Sequence, residues 1–192
     1  MQALLLVGWH EVTHLEGGRG WATIGAAIRE VQRLECQYID LKAADTKADV
    51  GDDYARAERI IDREIERRTF WSCFIMDRWL SCGEKRPQML NTANLHIQLP
   101  CSDKAFSHGQ HVRTRHLGED DKTYAHRRQK WQDRLEPKRN FSGHSDQDCR
   151  DNLNNDKIEW EVGKEEGDLS VYVQLVDHFG RVMKWSIDVG RR

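Results

Sequence analysis

The chain has 192 residues, of which 38% are hydrophobic and 32% carry a charge, and its formal net charge at pH 7 is −2. This length is sufficient for one domain with a core of its own. The near-neutral balance excludes a protein whose overall charge attracts nucleic acid or an anionic membrane. The five cysteines are odd in number and irregularly spaced, which is not the pattern of a disulfide framework and favours a reducing compartment.

The first part of the chain predicts two helices joined by a glycine-rich turn. Residues 2–14 predict a first helix, and because it begins without an N-cap we expect the element, or the protein, to extend upstream. Residues 16–20 predict the turn, and residues 21–41 predict a second helix. The predicted buried residues are Ala3, Leu4, Leu5, Val7 and Trp9 in the first helix and Trp21, Ile24, Ile28, Val31 and Leu34 in the second.

The apolar run at residues 3–7 is too short for a membrane span and lacks the basic start and cleavage site of a signal peptide. It therefore favours a soluble, intracellular protein.

The third predicted helix organises the domain. It begins at Asp53, which can cap it, is rich in charged residues as far as Glu66, and continues into the stretch 67–81. That stretch reads R-R-T-F-W-S-C-F-I-M-D-R-W-L-S and is apolar over most of a helical circumference. A helix of this kind belongs inside a bundle. Gly83 and Pro87 are expected to end it.

Charged residues interrupt the apolar stretch. Arg67 and Arg68 lie at its start, and Asp77 and Arg78 lie in its middle. Charges inside a bundle persist only when they are paired. We therefore expect Asp77 to pair with an arginine of the same or a neighbouring helix and to fix the register of the bundle. The alternative is that Asp77 and Arg78 reach the surface and contribute little.

After the third helix the sequence predicts an extended connection, an insertion and a final helix. Residues 91–100 predict the connection. Residues 101–168 are so rich in charged and polar residues that we expect a largely disordered insertion, with a transient helix at 123–135. Residues 169–185 predict a last helix that packs back on the first three. Its predicted inward stripe is Val171, Leu175, Val176, Phe179, Val182 and Met183.

The predicted fold class is therefore all-α, a bundle of about four main helices with a long, largely disordered, charged insertion. We divide the chain into a helical core at 1–100, the charged insertion at 101–168 and a C-terminal part, 169–192, whose helix packs on that core.

A literal H-E-x-x-H motif occupies residues 10–14. On a helix, His10 and His14 could share a zinc ion while Glu11 activates a bound water, which makes a zinc-dependent hydrolase the alternative function. The extended form of the motif requires a third histidine where the chain has Gly20, and no strand pattern that could hold a substrate lies nearby. We expect an exposed helix end without metal.

A second group with metal-binding side chains consists of His108, His111, His116, Cys101 and Cys149. It falls in the segment predicted to be disordered, where nothing would fix the geometry of the ligands. We interpret these histidines as solvated loop residues.

Two further candidates are weaker. The basic residues Arg127, Arg128, Lys130 and Arg134 surround Trp131, but Asp120, Asp121 and Asp133 dilute the charge, so a solvated charge run is preferred to a nucleic-acid contact. The helical cysteines Cys36, Cys73 and Cys82 are interpreted as small residues of the core. We predict no catalytic residue and no enzyme.

Separate blocks of the sequence resemble one known family. The first is residues 2–11 with 19–29, the second is residues 64–87 with 97–100, and the third is residues 175–185. The central block carries a motif formed by Arg67, Arg68, Phe70, Trp71, Asp77, Arg78, Arg86 and Pro87. These blocks resemble the regulatory middle homology region of fungal zinc-cluster transcription factors.

The resemblance implies a non-catalytic, α-helical regulatory region of a nuclear transcription factor. In such proteins a separate N-terminal cluster of six cysteines binds two zinc ions and places a helix in the major groove of DNA. The five scattered cysteines here do not match that cluster. The resemblance therefore implies a fragment that contains neither the zinc cofactor nor the DNA-binding module.

The implied partners are proteins of the transcription machinery and a small-molecule effector, with DNA contacted only through the absent module and no role for a membrane. A generic helical interaction protein that uses the charged insertion as a tether is the remaining alternative.

Overall fold

A computed structural model describes residues 1–14, 17–41, 53–82, 86–135 and 166–190. Within these ranges the regular elements are helical, and residue pairing of the β type is limited to isolated bridges between Gln98 and His116 and between Cys101 and Glu166. The all-α prediction is confirmed. The α-helices are α1 (Gln2–His14), α2 (Gly17–Arg33), α3 (Asp53–Leu80), α4 (Asp103–Ser107), α5 (Asp121–Leu135) and α6 (Asp168–Gly190), and the 3-10 turns are Cys36–Tyr38 and Thr92–Asn94.

The second helix ends earlier than predicted. The sequence pattern extends it to residue 41, whereas α2 stops at Arg33 and a 3-10 turn follows at Cys36–Tyr38. The break lies at Glu35, which has a φ of 54° in the left-handed region. A non-glycine residue in that conformation cannot continue a right-handed helix. The change of direction brings Asp40 to the flank of α3, where it contacts Arg67.

The core surrounds the middle of α3. Phe70, Trp71 and Phe74 are fully buried, and the Trp71 ring meets the other two edge-on with centroid separations of 5.4 and 5.2 Å. The residues that complete this core come from α2, from the connection and from α6: Ile24, Ala27, Ile28, Val31, Ile97, Leu99 and Val173. The predicted buried stretch is confirmed except at Trp79, which is 51% exposed.

Helix α1 packs through a glycine and through only part of its predicted apolar face. Leu4 and Leu5 are partly buried against the core, but Val7 and Trp9 are 51% and 55% exposed and Ala3 is exposed as well. The predicted face is wrong at these positions because the helices approach at Gly8. A Cβ atom added there would lie only 2.5 Å from Cδ1 of Ile24.

Helix α6 also turns a different face to the core. Of the predicted inward stripe only Val176 is buried and Met183 is partly buried, whereas Val171, Leu175, Phe179 and Val182 are exposed. The buried face instead consists of Ser170, Val173, Val176, Asp177 and Gly180. The helix does pack on α3, as predicted, but with its polar and small residues inward, next to the charged middle of α3.

Residues 101–135 have defined elements, which differs from the disorder expected for this part of 101–168. Helix α4 is capped by Ser102, whose Oγ accepts a hydrogen bond from Ala105 N, and α5 covers the transient helix expected at 123–135. Polar contacts fix this segment, and hydrophobic periodicity does not report such contacts. Residues 136–165 lie outside the described residues. The division of the chain into three parts stays a prediction.

We expect Gly20→Ala to destabilise the α1–α2 pair. A Cβ atom at Gly20 would lie 2.9 Å from Val12 N and 3.1 Å from Gly8 O, so the helix backbones must separate. Overpacking of this kind costs about 1–3 kcal/mol. Chemical unfolding of the full chain measures the change.

Gly18→Ala is the matched control, because it lies on the same helix and its Cβ atom would have nothing within 4 Å. Its better helix propensity should raise the free energy of unfolding by up to about 1 kcal/mol. Equal effects of the two alanines would show that the close helix approach is not a constraint.

Candidate functional site: two charge clusters beneath a buried connection

The connection that follows α3, here residues 86–101, is extended and buried between Ile97 and Cys101. Buried backbone N–H and C=O groups require hydrogen-bond partners. Apart from the isolated bridges, the described residues provide no sheet ladder here. Side chains supply most of the partners, and one backbone bond joins Leu99 N to Arg115 O at 2.8 Å. The indole Nε1 of Trp71 donates to Gln98 O at 2.7 Å, and charged side chains of α3 and Asp40 supply three further bonds.

The upstream cluster consists of Asp40, Glu64, Arg67 and Arg68. Glu64, which is 1% exposed, accepts hydrogen bonds through Oε1 from Cys101 N at 3.0 Å and from Arg68 Nε at 3.1 Å, and through Oε2 from Arg67. Arg67 also donates to Asp40 Oδ1 at 2.5 Å. Asp40 Oδ2 accepts from Gln98 N at 2.7 Å, and Arg68 donates to Cys101 O at 3.0 Å. The cluster thus binds the connection at two points.

The electrostatics of this cluster favour the charged state of both partners. Burial acts to raise the pKa of the Asp40 carboxyl, but the Arg67 charge and the hydrogen bonds from Arg67 and Gln98 outweigh it and hold that pKa below its ordinary value. Burial likewise acts to lower the pKa of Arg67, but Asp40 and Glu64 raise it above its usual range. The ion pairs therefore contribute to stability at neutral pH.

The downstream cluster consists of Asp77 and Arg78, each 3% exposed. Asp77 accepts hydrogen bonds from Met89 N at 2.9 Å and Leu90 N at 3.0 Å, and from Arg78 Nη1 at 2.7 Å. Arg78 Nη2 donates to Leu90 O at 2.9 Å, and its guanidinium lies 4.3 Å from the centroid of the Phe74 ring. The pair is buried, so the interpretation that Asp77 and Arg78 reach the surface is wrong. Asp77 pairs within its own helix, as the other interpretation predicts, and also binds the connection.

Desolvation dominates in the downstream cluster. Burial raises the pKa of Asp77 above its ordinary value even though Met89, Leu90 and Arg78 stabilise the carboxylate, and burial lowers the pKa of Arg78 despite the neighbouring Asp77 and Asp177. A buried pair of this kind is costly to form and more costly to break from one side.

The remaining motif residues have separate roles. Phe70 and Trp71 form the core, whereas Arg86 is half-buried and Pro87 exposed, and both line a cleft beside α6. The structure thus brings six of the eight motif residues together on α3 and places the other two at the start of the connection.

The segment that follows the connection is fixed by further ion pairs. Arg115 bonds to Glu166 at 2.8 Å, and Arg127 bonds to Glu119 at 2.7 Å. Thr114 donates through its backbone N to the Gln98 side chain at 3.0 Å and through Oγ1 to Leu99 O. These contacts attach residues 113–127 to the connection and, through it, to α3.

The H-E-x-x-H motif lies on the outside of α1. The rings of His10 and His14 stack with centroids 4.6 Å apart, and both side chains are exposed. Glu11 accepts a hydrogen bond from the Thr23 hydroxyl at 2.5 Å and lies 4.0 Å from Arg19. The glutamate thus joins α1 to α2. In the part of the chain that the structure describes, no group of three or more His, Cys, Asp or Glu side chains could hold a metal ion.

The second set of metal-binding side chains is not gathered either. Nδ1 of His108 contacts Lys104 O at 2.8 Å, and Nδ1 of His116 contacts Ile97 O at 3.2 Å. Burial raises the pKa of Cys101 to about 12, which keeps its thiol protonated at neutral pH. Cys149 lies outside the described residues.

In the basic run on α5, the described side chains include one arginine that is paired within the protein. Arg127 is paired with Glu119, and its guanidinium lies 5.6 Å from the centroid of the Tyr124 ring. Lys130 is exposed, and the side chains of Trp131 and Arg134 lie outside those that the structure describes.

The helical cysteines are buried or half-buried, in keeping with a packing role. Cys36 and Cys73 belong to the hydrophobic core, and Cys82 is half-buried. Burial raises the pKa of Cys73 to about 12, so the thiolate that a nucleophile or metal ligand requires is not formed at neutral pH.

Comparison with known proteins identifies the family. A family model described as fungal specific transcription factor domain matches residues 1–148. The chain belongs to this family. Membership places it among regulators of transcription and not among enzymes, and it confirms the resemblance carried by the α3 motif.

Individual relatives agree with this membership. The chain is 36% identical over 121 residues to a Zn(2)-C6 fungal-type transcription factor of Fusarium oxysporum f. sp. lycopersici, covering 61% of this chain and 12% of that protein. It is 36% identical over 107 residues to an uncharacterised transcriptional regulatory protein of Schizosaccharomyces pombe, covering 55% and 10%, and 33% identical over 106 residues to a transcription factor of Emericella nidulans, covering 55% and 15%. The chain thus spans only a small part of the length of its relatives. No solved structure matches it.

The zinc named in the Fusarium relative does not fit the cysteines described here. Cys36, Cys73, Cys82 and Cys101 come from different elements, and three of them are buried. Among the described helices, none is both long enough and apolar enough to cross a bilayer.

Sequence reasoning identified the arginines of this site but missed their main partners. Glu64 lies three and four residues before Arg67 and Arg68, a spacing that places the side chains on one helix face and that could have shown the pairing. Asp40 lies 27 residues away from Arg67, and no local pattern connects them.

We expect Asp77→Asn in the regulatory domain to lower the free energy of unfolding by about 3–5 kcal/mol, because the change leaves Arg78 buried without its carboxylate. Denaturant unfolding of the full chain measures the loss. Asp62→Asn, an exposed position on the same helix, is the control and should change stability by less than about 0.5 kcal/mol. A similarly small change for Asp77→Asn would show that the buried pair does not hold the connection.

The upstream cluster predicts acid sensitivity. Because the folded-state pKa of Asp40 is lowered, its contribution is complete above the unfolded value of about 3.9 and is lost as the pH falls through the folded value. We expect the free energy of unfolding to fall below about pH 4, and Asp40→Asn to reduce that slope. Unfolding curves measured between about pH 2.5 and 6 test this. An unchanged slope in Asp40→Asn, matching that of Asp62→Asn, would contradict the assignment.

Proposed function

We propose that the chain is the non-catalytic regulatory part of a nuclear transcription factor and that it holds an acidic, amphipathic activation segment on an exposed face of α6. DNA would be contacted only through a separate zinc module of the kind that the name of the Fusarium relative indicates. The observation that carries the proposal is the α6 face, defined by Val171, Leu175, Phe179, Val182 and Trp185.

The α6 face has the pattern of a protein contact. Its five side chains are 41–67% exposed, and their spacing places them on one side of the helix. Trp79 of α3 extends the surface, since its ring centroid lies 5.8 Å from that of Phe179 and its Nε1 donates to Tyr172 Oη at 3.2 Å. Contiguous exposed apolar surface of this kind marks interaction sites. Its linear form suits an amphipathic helix laid along it.

The charges beside the face favour an acidic occupant. By helical position, the exposed basic side chains beside this face are His178 and Arg181. Asp177, which precedes His178, is buried and paired with Arg181 at 2.8 Å. Segments that combine acidic and apolar residues are typical of activation domains. An electrostatic contribution of this kind also accelerates association and weakens with salt.

We expect Leu175→Glu and Val182→Glu to weaken binding of a fluorescent acidic amphipathic peptide at least tenfold. Burial of one such side chain contributes about 1.5–3 kcal/mol, and about 1.4 kcal/mol corresponds to a factor of ten. Fluorescence anisotropy with the full chain measures the affinity, with a peptide of the same composition in scrambled order as the reference.

Val7→Glu is the matched control, because Val7 is also an exposed apolar helix residue but lies on α1. Equal binding by Leu175→Glu and Val7→Glu would overturn the proposed role of α6. Concentration-dependent dimers in light scattering that Leu175→Glu abolishes, without peptide binding, would assign the face to a second copy of the chain and favour the generic interaction module.

A further inference from the structure

A cleft of about 620 Å³ lies between the start of the connection, residues 86–92, and the second half of α6. This is within the range of small-molecule sites, about 300–1,000 Å³. Its lining includes Arg78, Arg86, Arg181 and Lys184, and no carboxylate is among the lining side chains that the structure describes. It is separate from the α6 face, since Gly180 and Ile187 line it and the residues of the face do not.

The charges of the cleft are only half compensated. Arg78 is paired with Asp77 at 2.7 Å, and Arg181 is paired with Asp177 at 2.8 Å. Arg86 and Lys184 make no ion pair with any side chain that the structure describes. Two positive charges therefore face the same concave space from opposite walls, one from the connection and one from α6. Such an arrangement concentrates anions.

The other lining groups suit an organic anion better than an inorganic ion. Polar side chains that can form hydrogen bonds line the cleft on the side formed by the end of α3 and the connection, and apolar side chains cover another part of its surface. These residues are Ser81, Gln88, Asn91 and Thr92 for the polar part and Met89 and Ile187 for the apolar part. A few convergent polar groups in a partly apolar concave site are the usual features of ligand recognition.

The base of the cleft depends on Gly180 and the downstream cluster. A Cβ atom at Gly180 would lie 3.1 Å from Arg78 Cδ and 3.4 Å from Gln88 Nε2, so a side chain here would push into the cleft. Arg78 is fixed by Asp77 and by Leu90 O. The base of the cleft is therefore held by contacts of Arg78 within α3 and with the connection.

We propose that this cleft binds a small organic anion, a carboxylate or a phosphate ester, between Arg86 and Lys184. A bound anion would bridge the connection and α6. It would therefore stabilise the position of the helix that carries the α6 face. The inference does not require that face to hold an activation segment.

Isothermal titration of the full chain with citrate and with glycerol 3-phosphate tests the inference, with glycerol as the uncharged reference. We expect saturable binding of at least one anion and none of glycerol. Arg86→Gln and Lys184→Gln should each weaken binding at least tenfold, because a hydrogen bond to a charged group contributes about 1.5–3 kcal/mol and 1.4 kcal/mol corresponds to a factor of ten. The two anions distinguish a carboxylate from a phosphate ester as the preferred group.

Lys122→Gln, which removes an exposed lysine on α5, is the matched control and should bind like the unmodified chain. Melting temperatures confirm that the variants remain folded. The absence of saturable binding by both anions, or equal affinities for Arg86→Gln, Lys184→Gln and Lys122→Gln, would overturn the proposal. Leu175→Glu should bind the anion normally, so loss of peptide binding and loss of anion binding are separate results.

Discussion

The structure depends on the hydrogen bonds that α3 and Asp40 provide to a buried, extended segment. This segment is buried at Leu90 and again from Ile97 to Cys101, and at these positions it has few backbone partners. Asp77 accepts from two of its N–H groups, and Glu64 and Asp40 each accept from one. Arginines and an indole donate to its carbonyl oxygens. Buried carboxylates here do for a single extended segment what a neighbouring strand does in a sheet.

The two clusters achieve this with different electrostatic balances. Around Asp40 the arginine and backbone donors outweigh desolvation, whereas around Asp77 desolvation outweighs them. In the downstream pair, burial therefore opposes the charged carboxylate more strongly than its partners favour it. It is also the one that contacts the start of the connection and lies beside Gly180 of α6. A ligand or partner that changes the electrostatic field near Arg78 would act on the Asp77–Arg78 pair, where desolvation is not outweighed.

Helix α6 connects these internal contacts to the surface. Its polar and small residues face Arg78, which leaves its larger apolar residues exposed. The same orientation places Lys184 opposite Arg86 across the cleft. An exposed apolar face and a basic cleft on one helix are consistent with a regulatory domain whose contacts respond to a small molecule. Both features arise because the face of α6 that contains Gly180 packs against the charged part of α3.

The sequence was sufficient to predict where the family motif lies, but it was not sufficient to predict which contacts the charged residues of the motif make. The pattern of Phe70, Trp71 and Phe74 was enough to predict a buried helix, because apolar spacing reports burial directly. The pairing of Arg67 with Asp40 was not accessible, because it depends on the left-handed turn at Glu35. The order in residues 101–135 was missed because ion pairs such as Arg115 with Glu166 create it without apolar periodicity.

The sequence by itself determined the all-α class, the bounds of α1, the central position of α3 and the family. These follow from local periodicity and from a short motif, and both depend only on residues that are close together in the sequence. Only the tertiary structure decided which faces of α1 and α6 are buried, that Asp77 and Arg78 lie inside, and where the connection finds its hydrogen bonds. The physical reason is that close approach at Gly8 and Gly180 and the need to pair buried charges override the apolar pattern, and both depend on residues that are distant in sequence.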